Sequence, residues 1–211
     1  AFHVLAALLL WRVLLQLRVP GAWLGAALWA LHPVQVESVA WITELKNLLA
    51  CFFFLLSAQS FVRSSYVPSL VFFILSLLSK PAAAGLPLLI PVYFWWKKRL
   101  LPIRKIFALS LPFFLVSLLA GLWTIWEQIV HSGAEGEVWS LSVLERFLVG
   151  GRAFWFYLEK FFWPVPVSFL YSRFEMSPAV WSSYIPIAAG AGLFLALGLI
   201  RNSFSKNTLL A

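Results

Sequence analysis

Seven apolar runs separated by short polar stretches dominate this sequence of 211 residues. Charged residues make up 11% of the chain and hydrophobic residues 62%, whereas a soluble domain carries about 25% charged residues. The sequence therefore predicts an all-α, multi-pass membrane helix bundle of about seven spans plus one helix that lies in the interface. The apolar runs are residues 2–17, 22–31, 48–61, 67–78, 86–96, 106–126 and 184–200.

Most of these runs are short for a membrane crossing, which takes about 20 residues. We expect tilting, snorkelling side chains or local thinning of the bilayer to compensate. Residues 127–183 form a long polar and aromatic region. Within it, Phe147 to Trp163 carries Arg152, Glu159 and Lys160, which favours a helix lying in the interface over a span. If this segment crossed instead, the last run would point the other way.

Loops rich in basic residues alternate along the chain with loops that contain the acidic residues. With seven spans, the basic residues Arg12, Arg18, Arg63, Arg201 and Lys206 and the cluster 97–105 fall on one side. The positive-inside rule then explains the net charge of +8, and we expect no nucleic-acid partner. The opposite, non-cytoplasmic side receives Glu37, Glu44, Lys46, Lys80 and the acidic stretch 127–137.

The stretch from Leu31 to Asn47 places four ionisable side chains, those of His32, Glu37, Glu44 and Lys46, between two apolar runs. Such residues at the edge of a membrane are costly and often functional. Pro33 suits the first turn of a helix, on which Glu37, Trp41 and Glu44 would share one face. The glutamates could be bases, metal ligands or hydrogen-bond acceptors, and His32 a ligand, a proton relay or a helix cap. A short interfacial linker with solvated charges is the alternative.

Lys80, Arg152 and Tyr171 are further candidate site residues. Lys80 lies between two apolar runs and Pro81 ends the helix behind it, so its ammonium could bind a lipid phosphate or simply snorkel to the interface. The guanidinium of Arg152 suits bidentate phosphate contact or interfacial anchoring. Tyr171 lies in a loop, where polar groups are ordinary.

The sequence carries none of the short motifs that mark nucleotide, serine-hydrolase or zinc-protease sites. Cys51 is the only cysteine, so a disulfide or a cysteine metal cluster cannot form. We expect no divalent metal. Because the chain begins at Ala1 in an apolar run without a signal peptide, we expect residues 1–211 to be a single transmembrane-domain fragment of a longer protein.

The stretch HPVQVESVAW, followed by ELKNLLACFFFLLS, resembles the membrane region of the transmembrane-and-tetratricopeptide-repeat proteins, many of which are bacterial. LLSKPAAAGLPLLIPVYFWW and FYLEKFFWPVPVSFLY agree with it, so that the resemblance covers most of the chain. These proteins are similar to the GT-C superfamily of polyprenyl-phosphate-sugar-dependent glycosyltransferases.

The resemblance implies an inverting transfer of a sugar, such as mannose, from a polyprenyl-phosphate carrier to a protein or glycan acceptor. The membrane would be a bacterial inner membrane rather than the endoplasmic reticulum. Lys80 would face the carrier phosphate, and His32, Glu37 and Glu44 would line the external rim. The family's acidic catalytic residue lies after its first span, which we expect upstream of Ala1, so no catalytic residue is assigned.

Two residues depart from the family's sequence pattern, and two other classes of protein are alternatives to the transferase. Ala6 and Leu10 stand where the family has Asn and His, which argues against acceptor chemistry at His3. A non-catalytic membrane scaffold of a tetratricopeptide-repeat protein would have the same sequence features. A lipid or solute transporter would more often show polar residues at the midplane and repeated broken helices, which the sequence lacks.

Overall fold

The computed structural model of the chain describes residues 1–97, 101–131, 141–165, 168, 171–174 and 176–207, with side chains as far as residue 198. Within these residues the protein is all-helical and has nine α-helices and no strand. They are α1 (Phe2–Gln16), α2 (Ala22–Leu31), α3 (Val36–Ala40), α4 (Leu45–Val62), α5 (Tyr66–Ser79), α6 (Leu86–Trp96), α7 (Ile103–Val130), α8 (Val143–Phe162) and α9 (Ile185–Asn207).

Each of the seven predicted runs coincides with a helix. Three segments are long and apolar enough to cross a membrane, namely Ile42–Val62, Ile103–Val130 and Trp181–Gly198. The other apolar helices have between 10 and 17 residues. This agrees with the short runs in the sequence and indicates a membrane protein. The chain divides into two compact units, Ala1–Gly133 and Ala134–Ala211, each with its own packing.

The core of the first unit is aromatic and lies among α4, α5, α6 and α7. Phe61 is buried within four rings at centroid distances of 5.3–6.0 Å, those of Tyr66, Tyr93, Phe94 and Phe113. Edge-to-face contacts of this kind add to the packing energy of buried rings. The buried core is therefore held by ring geometry as well as by apolar area.

Serine hydroxyls join α4 to α5 inside this apolar unit. Ser57 Oγ donates to the carbonyl of Ser69 at 2.7 Å, and Ser69 Oγ donates back to the carbonyl of Ser57 at 2.8 Å. Ser76 Oγ donates to the carbonyl of Ala50 at 2.7 Å. Small hydroxyl residues let two helices approach closely and hydrogen-bond within a membrane. α4 and α5 consequently form a firm antiparallel pair.

The first unit has a basic end, where the last turns of α1, α4 and α6 meet. Lys97 Nζ donates to the carbonyl of Leu17 at 2.7 Å. In the amide orientation that satisfies both groups, the side-chain oxygen of Gln16 accepts from Arg63 Nε and Nη2 at 3.1 Å. We call this the basic end, and it groups Arg18, Arg63 and Lys97 as the alternation of the runs predicts.

The predicted continuous helix through the stretch from Leu31 to Asn47 is wrong. The chain forms a 3₁₀ turn at Pro33–Gln35, the short α3, an extended residue at Trp41 (φ −95°, ψ 123°) and a second 3₁₀ turn at Ile42–Glu44. Glu37 and Glu44 therefore do not share one helical face. In a continuous helix the residues at positions 38 and 47 would be about 13.5 Å apart along the axis, whereas the two side chains are hydrogen-bonded at 3.0 Å.

Candidate functional site

Lys80 is the central cation of the candidate site in the first unit. α5 ends at Ser79 because Pro81, the first residue of the next 3₁₀ turn, cannot continue the helix. Lys80 itself is extended (φ −157°, ψ 124°) and half-buried. Its Nζ donates to Asn47 Oδ1, in the first turn of α4. The prediction that the helix ends just before Lys80 and Pro81 is confirmed.

Asn47 connects this lysine to a carboxylate. Its Nδ2 donates to Glu44 Oε2 at 2.6 Å and to Ser38 Oγ at 3.0 Å. The amide is thus fully oriented, since its oxygen faces an ammonium and its nitrogen faces a carboxylate and a hydroxyl. Asn47 was not predicted as a site residue, although an amide at the start of an apolar run was the signal that could have identified it.

Glu44 also pairs with Lys46. The Lys46 Nζ lies 3.3 Å from Glu44 Oε1, and the exposed fractions of the two side chains are 53% and 17%. The carboxylate is therefore sheltered while the ammonium of Lys46 lies largely in solvent. Lys80, Asn47, Glu44, Lys46 and Ser38 form what we call the polar cluster. It carries two lysines and one glutamate, so its formal charge at neutral pH is positive.

The ammonium of Lys80 has donor capacity beyond this cluster. A lysine ammonium carries three N–H donors, and among the residues that the structure describes Asn47 is its hydrogen-bond partner. The remaining donors can point to an oxyanion while the bond to Asn47 fixes the position of the nitrogen. A held cation at the end of an apolar helix pair is suited to a lipid-linked phosphate.

His32 and Glu37 flank the polar cluster. His32 Nδ1 accepts from the backbone N–H of Val34 at 3.3 Å, so this half-buried histidine caps the 3₁₀ turn that starts at Pro33. Glu37 is half-buried beside Ser38, and its carboxylate has no hydrogen bond or ion pair with a residue in the described part of the chain. Both carboxylate oxygens of Glu37 can consequently accept hydrogen bonds from a ligand.

His3 contacts the end of α2 through a hydrogen bond and a ring stack. Its Nε2 lies 2.8 Å from the carbonyl oxygen of Ala30, and its ring stacks on Trp29 at 5.2 Å. Because a carbonyl can only accept, Nε2 must carry the proton in this arrangement. These contacts fix the start of α1 against the end of α2, which gives His3 a packing role.

Arg152 belongs to the second unit, which is built on α8 and α9. Gly151 allows close packing there, since a Cβ at this position would lie 2.6 Å from Ile187 Cγ1. Trp155 Nε1 donates to the carbonyl of Pro186 at 2.8 Å. Arg152 follows Gly151, and its guanidinium lies 5.7 Å from the ring centroid of Phe174.

A cavity of about 870 Å³ opens beside Arg152. Its lining includes acidic and basic side chains and three serine hydroxyl groups, which makes it suitable for a polar ligand. Its polar lining consists of Glu145, Arg152, Arg173, Ser177, Ser182 and Ser183. Hydrogen bonds from the side chain and the backbone N–H of Ser142 lower the pKa of Glu145 below its ordinary value.

Tyr171 lies in an aromatic group next to this cavity and is not one of its lining residues. Its ring meets Phe156 edge-on at 4.9 Å, and its hydroxyl accepts from the backbone N–H of Ser168 at 2.9 Å. The Lys160 Nζ lies 5.9 Å from the Tyr171 ring centroid. Phe174 contacts Phe156 at 5.4 Å, so the aromatic group and the wall of the cavity are continuous.

In the described residues no three His, Cys, Asp or Glu side chains come together as a metal site would require. Protein-family models, curated proteins and solved structures contain no match to this chain. The site geometry and the resemblance of the sequence motifs are therefore the basis for proposing a function.

Proposed function

We propose that the protein is a GT-C-like membrane glycosyltransferase that takes a sugar, such as mannose, from a polyprenyl-phosphate carrier. The acceptor is a protein or a glycan on the non-cytoplasmic face of a bacterial inner membrane. In this proposal the seven apolar helices cross the bilayer, α8 lies in the interface, and the polar cluster faces outward. The observation that carries the proposal is the ammonium of Lys80, held by Asn47 where α5 ends.

The chemistry explains why a fixed cation belongs at this position. When the sugar leaves its carrier, the bond between the anomeric carbon and the phosphate oxygen breaks and negative charge grows on the phosphate. An ammonium that is already positioned stabilises that charge without reorganising. Asn47 and Glu44 position Lys80, while Lys46 balances the charge of Glu44 on the solvent side. His32 and Glu37 at the rim offer hydrogen bonds to sugar hydroxyls.

Within the second unit we propose Arg152 as a further phosphate-binding residue, and Tyr171 stays a proposed rim residue although it does not line the cavity beside Arg152. The exposed guanidinium lies 5.7 Å from the ring centroid of Phe174. A planar guanidinium suits bidentate contact with a phosphate.

The test compares two lysines that contact the same cluster. The full-length protein in nanodiscs is given polyprenyl-phosphate mannose and an acceptor peptide, and sugar transfer is measured for Lys80→Met and Lys46→Met. Loss of a preorganised charge donor reduces kcat by about 10²- to 10³-fold, which we expect for Lys80→Met. Lys46→Met removes an exposed ion pair worth up to about 1 kcal/mol, so its activity should stay within about fivefold of the wild type.

Two results would contradict the proposal. The first is full activity of Lys80→Met. The second is the absence of transfer from every polyprenyl-phosphate sugar tried, in protein whose circular dichroism and thermal unfolding show that it is folded. That second result would favour the non-catalytic scaffold, in which the polar cluster only joins α4 to α5.

A further inference from the structure

An apolar groove of about 370 Å³ lies between α1, α4 and α6. Its middle contains the small side chain of Ala58, and it runs toward the basic end, where Leu17, Val19, Val62 and Trp96 line it. The lining is almost entirely apolar. In a membrane such a groove is filled by a hydrocarbon chain, because an empty channel along the helices would lose the packing contacts of its lining.

Three cations surround the basic end of this groove. Arg18 lies between the lining residues Leu17 and Val19, Arg63 follows Val62, and Lys97 follows Trp96. Lys97 Nζ and the Arg63 guanidinium contact adjacent residues in the last turn of α1, at the Leu17 carbonyl and the Gln16 side chain. Lys97 and Arg63 therefore contact the last turn of α1, and Arg18 directly follows that turn in the sequence.

These cations have no carboxylate near them in the first unit. Residues 1–131 contain three acidic residues, Glu37, Glu44 and Glu127. Glu44 precedes α4 while Arg63 follows it, and a helix of 18 residues is about 27 Å long. Glu37 lies with Glu44 beyond the far end of α4, and Glu127 is in the last turn of the 28-residue α7. Within residues 1–131, no carboxylate therefore balances the charge of these three cations.

The backbone at Arg18 makes this positive charge unusual. Arg18 has φ 55°, and the N–H groups of Arg18 and Val19 donate to the carbonyls of Leu15 and Leu14 at 2.9 and 3.0 Å. This is a Schellman motif, in which the left-handed position normally holds glycine. Ser64 occupies the same position after α4, with φ 64°. Arg18 thus occupies a position where glycine is favoured, and we infer a role for its charge.

We propose that this groove binds an anionic phospholipid. One acyl chain lies in the groove, and the phosphate accepts hydrogen bonds from Arg18, Arg63 and Lys97. Basic pockets between membrane helices on the cytoplasmic side are suited to anionic headgroups, and the apolar channel that ends at the three cations matches the two parts of such a lipid. The site lies at the end of the unit opposite the polar cluster, so it does not depend on the proposed transferase activity.

The test measures lipid retention by native mass spectrometry. The purified chain in detergent is titrated with phosphatidylglycerol and with phosphatidylcholine of the same chain length. We expect one phosphatidylglycerol to be retained in preference to phosphatidylcholine. A basic residue near the membrane surface increases the affinity for an anionic lipid about fivefold. Arg18→Gly should therefore weaken phosphatidylglycerol binding about fivefold, and Arg18→Gly with Arg63→Gln about 25-fold.

We expect Arg18→Gly to fold, because glycine at position 18 adopts the left-handed backbone without strain. Ser64→Gly relieves the same strain in the neighbouring turn without removing a charge, and should leave lipid retention unchanged. Ala58→Phe fills the groove and should abolish retention of the phospholipid.

Three outcomes would overturn the proposal. These are equal retention of the two phospholipids, unchanged retention in Arg18→Gly with Arg63→Gln, and unchanged retention in Ala58→Phe. A polyprenyl phosphate that displaces phosphatidylglycerol from the wild type, and binds equally well to the Arg18→Gly variant, would assign the groove to a carrier lipid instead and would also overturn it.

Discussion

Replacing the adjacent glycines of α8 by alanine should have opposite effects on the stability of the second unit. At Gly150 an added Cβ meets no atom within 4 Å, whereas at Gly151 it would lie 2.6 Å from Ile187 Cγ1 and 3.5 Å from the Ile187 backbone nitrogen. Both substitutions bring the same gain in helix propensity, about 1 kcal/mol. Gly150→Ala should therefore stabilise α8 by about that amount.

Gly151→Ala adds a clash to the same gain. Since the contacted atom is the branched stem of Ile187 rather than a flexible end, α8 must move away from α9 or Ile187 must leave its rotamer, and overpacking of this kind costs about 1–3 kcal/mol. The two alanine variants should differ by that amount. The shift would also displace Arg152, the next residue, from its place over Phe174.

Hydrogen exchange of the α8 amides in nanodiscs measures this difference. For local opening, about 1–3 kcal/mol corresponds to exchange rates about 5- to 150-fold faster in Gly151→Ala than in Gly150→Ala. Combining Gly151→Ala with Ile187→Ala removes the contacted atom, so the pair should show a favourable coupling of about 1 kcal/mol or more. Equal protection of the two single variants, or additive effects of Gly151→Ala and Ile187→Ala, would refute the close helix contact.

Further predictions concern both units. Ser57→Ala combined with Ser69→Ala should destabilise the α4–α5 pair by about 1 kcal/mol in a nanodisc unfolding assay, because each membrane hydrogen bond contributes about 0.6 kcal/mol. Asn47→Leu should lower thermal stability by about 1–3 kcal/mol, since it leaves a half-buried carboxylate and an ammonium without their amide partner. In a ¹³C titration Glu145 should protonate below its ordinary pKa of 4.5. Its contribution to stability is thus present above that pH and lost as the pH falls through the lower, folded-state pKa, and Ser142→Ala should raise the midpoint.

The sequence was sufficient to locate the apolar helices of the first unit, although not the broken stretch from Leu31 to Asn47. Apolar length marks α4 and α7, and the alternation of basic loops predicts that Arg63 and Lys97 lie at one end, as their contacts with the last turn of α1 show. Pro81 predicts the end of α5, which the structure places at Ser79. These features depend on local chemistry, which a sequence displays directly.

The polar cluster could not be predicted in the same way. Its centre is Asn47, which bonds to a residue 33 positions away and folds α3 back through Ser38, nine positions before it. Helical periodicity assumes that the backbone continues, so it placed Glu37 and Glu44 on one face and missed the extended residue at Trp41. The cavity beside Arg152 also combines α8 with residues after residue 172, and sequence spacing carries no information about that pairing.

The charge of Lys80 distinguishes the transferase from the scaffold. A scaffold needs only a donor for Asn47 Oδ1, since Asn47 already bonds to Ser38 and Glu44, and a neutral amide would supply that donor. An ammonium at the edge of a membrane has a larger desolvation cost than a neutral amide, which a phosphate ligand would offset in the proposed transferase. Lys80→Gln removes the charge and keeps an N–H donor for Asn47 Oδ1, on a side chain that is one atom shorter. In a scaffold this substitution should leave both stability and function unchanged, whereas in the transferase it should preserve the fold and abolish phosphate binding.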